Sequence, residues 1–222
     1  MSVKLIGVTV PRIEGIQTAD ELIAYTARVS NPDNQMNTAT APKLLSYLIE
    51  NNHWSPFEMV SVTMEIVTTR DIARQILRHR SFSFQEFSQR YAVAKNFVVR
   101  EARLQDKKNR QNSIFIDRDN EDQVRLAEEF RMKQIALRWQ IEEFYDWALE
   151  SGVAKEQARV ILPEGLTEST MYMAGTLRSW LHYIMLRADE ATQYEHRLIA
   201  LEALEVILQE FPSLKGYLSD VV

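Results

Sequence analysis

The chain has 222 residues, 45% hydrophobic and 26% charged, and 31 acidic against 26 basic side chains leave a formal net charge of −5 at pH 7. A chain of this length can bury about 70 to 75% of its unfolded surface around one core, and its acidic balance counts against broad coating of nucleic acid, which needs extended Lys/Arg surfaces. The absence of Cys excludes disulfides, thiolate metal sites and any cysteine nucleophile. The sequence shows no apolar run behind a basic start and no apolar stretch of about 18 residues, so neither a signal peptide nor a spanning helix is expected. The expectation is a cytoplasmic protein with no membrane partner.

Val3 to Val10, rich in β-branched residues and stopped by Pro11, predicts a strand. Thr18 and Glu21 have capping-box spacing ahead of Leu22, Ile23, Tyr25 and Val29, so a helix runs to about Ser30 and stops before Pro32. A second helix begins near Thr40, with Pro42 in its first turn and Leu44, Leu45, Leu48 and Ile49 at helical spacing until Asn51-Asn52. From Met59 to Thr68 the period changes to two, with Val60, Val62, Met64 and Ile66 on one face. Thr68 with Asp71 is expected to cap a helix carrying Ile72, Ala73, Ile76 and Leu77. Gln75, Arg78 and His79 then share a face near its C-terminal end, and the chain beyond is expected to be a loop.

The polar stretch Gln105 to Asn112 reads as a flexible insertion rather than a domain boundary. Past Asp119, Ala127, Phe130, Leu137, Ile141, Phe144 and Ala148 write a long helix that Gly152 ends, and a shorter one spans Lys155 to Val160. Thr167 to Ala174 reads as a further strand. Leu177 to Leu186 and Ala191 to Phe211 read as helices, the second with Leu198, Leu201, Leu204 and Leu208 inward and Pro212 beyond its end. Trp139, Trp147 and Trp180 fall on helices and are expected in a core or an interface. The expected fold is α+β: residues 1–222 as a single domain, with helices packed on a small central β-sheet.

The chemistry concentrates in Arg78-His79-Arg80-Ser81-Phe82-Ser83-Phe84-Gln85-Glu86-Phe87-Ser88-Gln89-Arg90. Between Arg70 and Arg90, five Arg against Asp71 and Glu86 give a local charge of +3 (5 − 2) inside an acidic chain. Guanidiniums repel one another, and a hydrogen bond from one to a phosphate is worth about 1.5 to 3 kcal/mol, so the cluster points to a polyanionic ligand. The six Gly, at 7, 15, 152, 165, 175 and 216, permit neither a GxGxxG dinucleotide loop nor a Walker loop. His53, His79, His182 and His196 show no metal-ligand pairing, so no metal is proposed, and no GxSxG nucleophile elbow exists.

Other readings of the same segment stand beside this one. Arg side chains interleaved with Phe82, Phe84, Phe87 and Tyr91 imitate the stacking platform of a single-stranded nucleic-acid binding module over residues 78–91, although net acidity counts against it. A phosphate hydrolase or kinase would need paired magnesium carboxylates, and no ExxE or DxxD lies near the Arg cluster. A helical assembly protein would carry the segment merely as surface.

The pattern RHRxxSxxxxSxR, present as RHRSFSFQEFSQR, is similar to the hallmark of the flavin-dependent thymidylate synthases. His53-Trp54-Ser55-Pro56-Phe57-Glu58, Ala158 to Pro163, and Leu186-Arg187-Ala188-Asp189 with Gln193 and Glu195 resemble further blocks of that family, in the same order along residues 20 to 210. The resemblance implies reductive methylation of dUMP to dTMP, with methylenetetrahydrofolate as carbon donor, FAD as redox cofactor and NADPH as hydride source. It also implies a homotetramer whose active sites combine residues of several chains. A Cys-free chain agrees with it, because the other kind of thymidylate synthase attacks uracil C6 with a cysteine.

Carried over position by position, His53, Ser55, Glu58, Arg178 and His182 resemble flavin-side residues, and Arg78, His79 and Arg80 resemble contacts to the flavin ring and its phosphates. Glu86 resembles a residue lying toward both flavin and nucleotide. Gln75, Arg78, Ser88, Gln89 and Arg90 correspond to the dUMP side, with Arg159 as a further phosphate ligand. Arg187 resembles the residue against uracil N3 and O2, and is the first candidate for catalysis. Ser88 is the second, in polarisation and binding rather than covalent attack. Met59 and Ala191 stand where His is common in the family, and Thr176 where Asn is usual.

Overall fold

Six strands and eight α-helices occur among residues 1–218, the part of the chain that the computed structural model describes; the last residues of the expected 1–222 domain lie outside it. The strands are β1 (Ser2–Val8), β2 (Ser61–Thr69), β3 (Ser83–Glu86), β4 (Arg103–Gln105), β5 (Ser113–Phe115) and β6 (Glu168–Thr176). The helices are α1 (Ala19–Ala27), α2 (Ala41–Glu50), α3 (Arg70–Ile76), α4 (Glu121–Glu150), α5 (Lys155–Ala158), α6 (Leu177–Arg187), α7 (Tyr194–Glu210) and α8 (Lys215–Leu218). This is the expected α+β architecture. None of these helices is long and apolar enough to cross a membrane.

The central sheet has the order β1-β2-β6-β3, antiparallel throughout. β2 and β6 pair from Ser61↔Thr176 to Thr69↔Glu168, which joins the first and last thirds of the chain. The period-two pattern places Val62, Met64 and Ile66 of β2 beside Met171 and Met173 of β6, all fully buried. Each such side chain contributes about 1.5 to 3 kcal/mol when removed from water, and residues of α1, α2, α3, α6, α7 and α8 complete the same core. Trp180 of α6 is fully buried and its indole Nε1 donates to the Val62 carbonyl at 3.0 Å, which pins α6 to β2. A second, smaller cluster of Ala94, Tyr145, Ala148, Ala158 and Leu162 joins the end of α4 to α5.

Local signals account for most boundaries. The capping box is present: the Glu21 amide donates to Thr18 Oγ1 at 3.2 Å and the Thr18 amide donates to Glu21 Oε2 at 3.1 Å. The cap of α3 is Thr69 rather than Thr68, because β2 runs through Thr69 and the helix starts only at Arg70; the Thr69 hydroxyl donates to Asp71 at 2.6 Å. Helix α3 stops at Ile76, so Arg78 and His79 lie in the following turn, where the His79 amide donates to the Ile76 carbonyl. The loop expected next is instead the edge strand β3, paired with β6 from Ser83↔Ala174 to Glu86↔Met171. Its driving force is Phe84, which packs against the main core.

Three further expectations are corrected. Residues 105–112 are the tip of the β4–β5 hairpin, ordered by Asp106, whose Oδ1 accepts from the Lys108 and Asn109 amides at 2.7 and 3.2 Å. The Lys155 to Val160 helix shortens to α5, followed by a 3-10 turn at Arg159–Ile161. The inward face of α7 is His196, Ile199, Ala200, Ala203, Leu204 and Ile207; of the four Leu expected there only Leu204 is fully enclosed, because the buried series starts from His196. On α4, Phe130, Leu137 and Phe144 are exposed, as are Trp139 at 65% and Trp147 at 57%.

Candidate active site

The expected site residues fall into three groups. The first is built where the 3-10 turn Ser55–Met59 leads into β2. Pro56 starts the turn and fully buried Phe57 anchors it, which leaves Ser55 and Glu58 exposed on its outer side. Glu58 pairs with Arg178 in the first turn of α6. His182, one turn further along α6, lies 4.6 Å from the Trp54 ring, and burial together with the Arg178 charge lowers its pKa. His53 sits edge-on to Tyr47 at 6.3 Å.

The second group brings together the turn after α3 and the end of α6. Arg187 Nε donates to His79 Nε2 at 3.0 Å, across 108 positions of sequence. An acceptor nitrogen must carry a lone pair, so His79 is neutral with its proton on Nδ1. Burial, then the charges of Arg187 and Arg78, push its pKa down to about 4. Tyr183 packs edge-on against His79 at 4.9 Å, and the Ser179 hydroxyl donates to the Ser81 carbonyl at 3.3 Å, tying the basic turn to α6 beside Arg178. Arg78 and Arg80 are exposed and form no ion pair among the described residues. Gln75 faces α7, where its amide donates to Gln193 at 2.7 Å.

The third group gathers at the far end of β3, whose last residue is Glu86, in the segment that follows it and in the turn after α5. Glu86 accepts from the Ser169 hydroxyl at 2.8 Å and pairs with Arg70 at 3.5 Å. Ser88 Oγ accepts from the Arg90 amide at 3.4 Å, and no His or carboxylate adjoins it among the described residues, so its geometry is that of a turn and not of an activated nucleophile. Gln89 is buried and its Nε2 has no hydrogen-bond partner, a donor that a ligand would satisfy. Arg90 pairs with Glu156 at 3.3 Å on the surface, and Arg159 is half-exposed in the turn after α5.

The stacking-platform reading of 78–91 fails on geometry. Phe82 packs on Trp180 at 5.0 Å and Tyr183 at 6.0 Å, and Phe84 packs on the core, so their faces are not available to bases. Of the aromatic side chains in that segment, Tyr91 alone is strongly exposed, at 80%.

Sequence reasoning missed Tyr183, His196, Arg100 and Arg103, which join Gln193 and Glu195 in a polar network behind Gln75. A lone His on an apolar helix face gave no signal of its own, and the network partners are scattered along the chain. Among the described residues no cluster of three or more His, Asp or Glu could hold a metal ion.

A profile of the family described as "Thymidylate synthase complementing protein" matches residues 13–213. A "Probable flavin-dependent thymidylate synthase" of Paramecium bursaria Chlorella virus 1 is 53% identical, covering 96% of this chain and 97% of its own. A "Flavin-dependent thymidylate synthase" of Synechocystis sp. is 48% identical, over 98% and 99%. In fold, the chain is similar to the UMP/dUMP methylase PolB of Streptomyces cacaoi, solved with 5-Br dUMP, with a TM-score of 0.80 at 22% identity over 99% of this chain and 94% of that one. Matched over nearly its whole length, this chain belongs to the thymidylate synthase complementing protein family.

Proposed function

We propose that the chain, as a single domain in the cytoplasm, is a FAD-dependent thymidylate synthase: it methylates dUMP to dTMP with methylenetetrahydrofolate as carbon donor and NADPH as reductant. The observation that carries this reading is the Arg187–His79 hydrogen bond. It occupies the Nε of Arg187 and leaves the two terminal nitrogens of the guanidinium as donors for uracil O2 and N3. A fixed cation there stabilises the N3-deprotonated ring, which makes C5 the better nucleophile. Because His79 is held neutral, it positions Arg187 without adding a second charge.

The nucleotide phosphate is assigned to Ser88, Arg90 and Arg159, with Gln89 supplying its unpartnered amide and Glu86 set toward the sugar or base. Gln75 adds a donor from α3. FAD fits the chain on the ground that Arg78 and Arg80 are cations without a carboxylate partner among the described residues, a charge excess that a diphosphate would balance. His53, Ser55, Glu58, Arg178, His182 and His79 would hold the rest of it. When bound, FAD supplies the reducing equivalents.

The test is the visible spectrum of the purified protein with and without dUMP and NADPH, followed by dTMP assays with each co-substrate withheld. A yellow protein bleached by NADPH, with dTMP formed only in the full mixture, is expected. A colourless protein that forms no dTMP after incubation with FAD would overturn the assignment.

A further inference from the structure

Behind Gln75 lies a run of hydrogen bonds whose direction is fixed from one end. Glu195 at the start of α7 is buried and held by Arg103 at 2.6 Å and Arg100 at 3.4 Å. Burial raises its pKa, but backbone and Arg103 hydrogen bonds and the Arg100 charge outweigh that and hold it below the ordinary carboxylate range. An ionised carboxylate only accepts. Gln193 must therefore turn its Nε2 to Glu195, at 3.1 Å, which leaves its Oε1 facing Gln75.

The remaining steps follow in turn. Gln75 donates its Nε2 to that oxygen at 2.7 Å, so Gln75 Oε1 faces His196 Nδ1 at 3.3 Å. That nitrogen must carry the ring proton, and Nε2 of the same ring then accepts from the Tyr183 hydroxyl at 3.1 Å. His196 is fully buried, and burial with the charges of Arg187 and His79 pushes its pKa down to about 3, so the ring is neutral as this pattern requires. Flipping any amide would set two donors or two acceptors face to face, and each lost bond leaves a buried polar group unsatisfied.

The carbonyl of Gln75 is thus turned inward, toward His196. One amide N–H of this half-buried residue goes to Gln193, and the other is left for a ligand. We propose that Glu195, Gln193, His196 and Tyr183 lock Gln75 as an obligate hydrogen-bond donor to an acceptor oxygen of the nucleotide, with His196 the positioning residue at the centre of the lock. The inference rests on the reading of Gln75 as a nucleotide-side residue. The oxygen belongs to the phosphate or to a uracil carbonyl, and both offer the same chemistry.

Three substitutions at one position separate this role from simple packing. The side-chain amide of Asn overlays the Nδ1 side of the imidazole and that of Gln the Nε2 side, while Leu fills the volume with neither. In flavin-loaded full-length protein, titration calorimetry with dUMP is expected to show H196N binding within about threefold of wild type. H196Q and H196L should bind about tenfold more weakly, the loss of one well-placed hydrogen bond. KM for dUMP should follow the same order, with kcat changed less than about threefold. Deoxyuridine, which lacks the phosphate, locates the oxygen: an equal loss assigns it to the base, and a loss confined to dUMP assigns it to the phosphate.

Equal affinities across the three variants, or weakening that does not distinguish Asn from Gln, would overturn the lock while leaving the synthase reading in place. A wild-type protein that binds no dUMP would remove both. Should H196L fail to fold, the comparison of H196N with H196Q decides alone.

Discussion

Arg187 is the residue whose loss should be felt most. Its guanidinium is oriented by His79 from the far side of the chain, so Arg187→Ala removes a preorganised cation without disturbing the core. We expect dTMP formation to fall roughly a hundred- to thousandfold, the scale of one lost oriented donor, with flavin absorbance and melting temperature retained. Steady-state assay beside a thermal melt checks this. Arg90→Ala should act differently, raising the Kd for dUMP in calorimetry. Its pair with Glu156 is largely exposed and worth about 0 to 1 kcal/mol, so stability should barely move.

The two depressed imidazoles also set a pH signature. His79 titrates at about 4 and His196 at about 3 in the folded chain, against an ordinary value near 6.5. The unfolded chain therefore binds more protons in this interval. Stability should be full above about pH 6.5 and decline as pH falls toward 4, with unfolding taking up as many as two protons, readable from denaturant midpoints across that range. At this scale, the motif blocks name Arg187, His79 and Ser88 as candidates, and the fold joins the first two of them in one hydrogen bond. His196 was not legible: one imidazole among Ile199, Ala200 and Ala203 is chemically silent until Gln75 and Tyr183 are seen on either side.

Among the elements, β6 and the turn it faces are the most tightly fitted. A Cβ placed on Gly175 would come within 2.5 Å of the Phe82 ring, and Phe82 follows directly on Arg78 to Ser81. Gly175→Ala should displace that ring from Trp180 and Tyr183, costing about 1 to 3 kcal/mol and lowering Tm by about 2 to 4 °C per kcal/mol, with flavin retention weakened alongside. Calorimetric melting and flavin release check both effects. β2 was readable because four alternating apolar residues reach a fully buried face. β3 was not, because at the sheet edge Ser83 and Gln85 look outward and Phe84 alone carries the inward signal. The face of α7 was misjudged by counting Leu, when Ala200 and Ala203 allow the closer approach.

On the scale of the molecule, α4 presents Phe130, Leu137, Trp139, Phe144 and Trp147 to solvent in a single chain, more large apolar surface than one helix leaves uncovered without cause. A face of this kind suits contact with further copies of the chain, and the homotetramer that the family resemblance implies is the assembly to test. The double substitution Trp139→Ser, Trp147→Ser is expected to shift sedimentation toward monomer and to abolish dTMP formation together. A fully active monomer would end the idea of shared active sites.

Between β3 and β6 the chain makes an excursion from Phe87 to Thr167 that adds no strand to the central sheet. Within it lies the exposed hairpin tip between Gln105 and Ser113. Closing a longer loop costs only about 0.6 kcal/mol per doubling of length, and the Asp106 hydrogen bonds that a graft at Lys107-Lys108 would displace are solvent-exposed, so an epitope or fluorophore tag there is expected to leave the melting temperature close to native. The protein thus carries its own graft point, at a tip that the sheet joining its first and last thirds does not depend on.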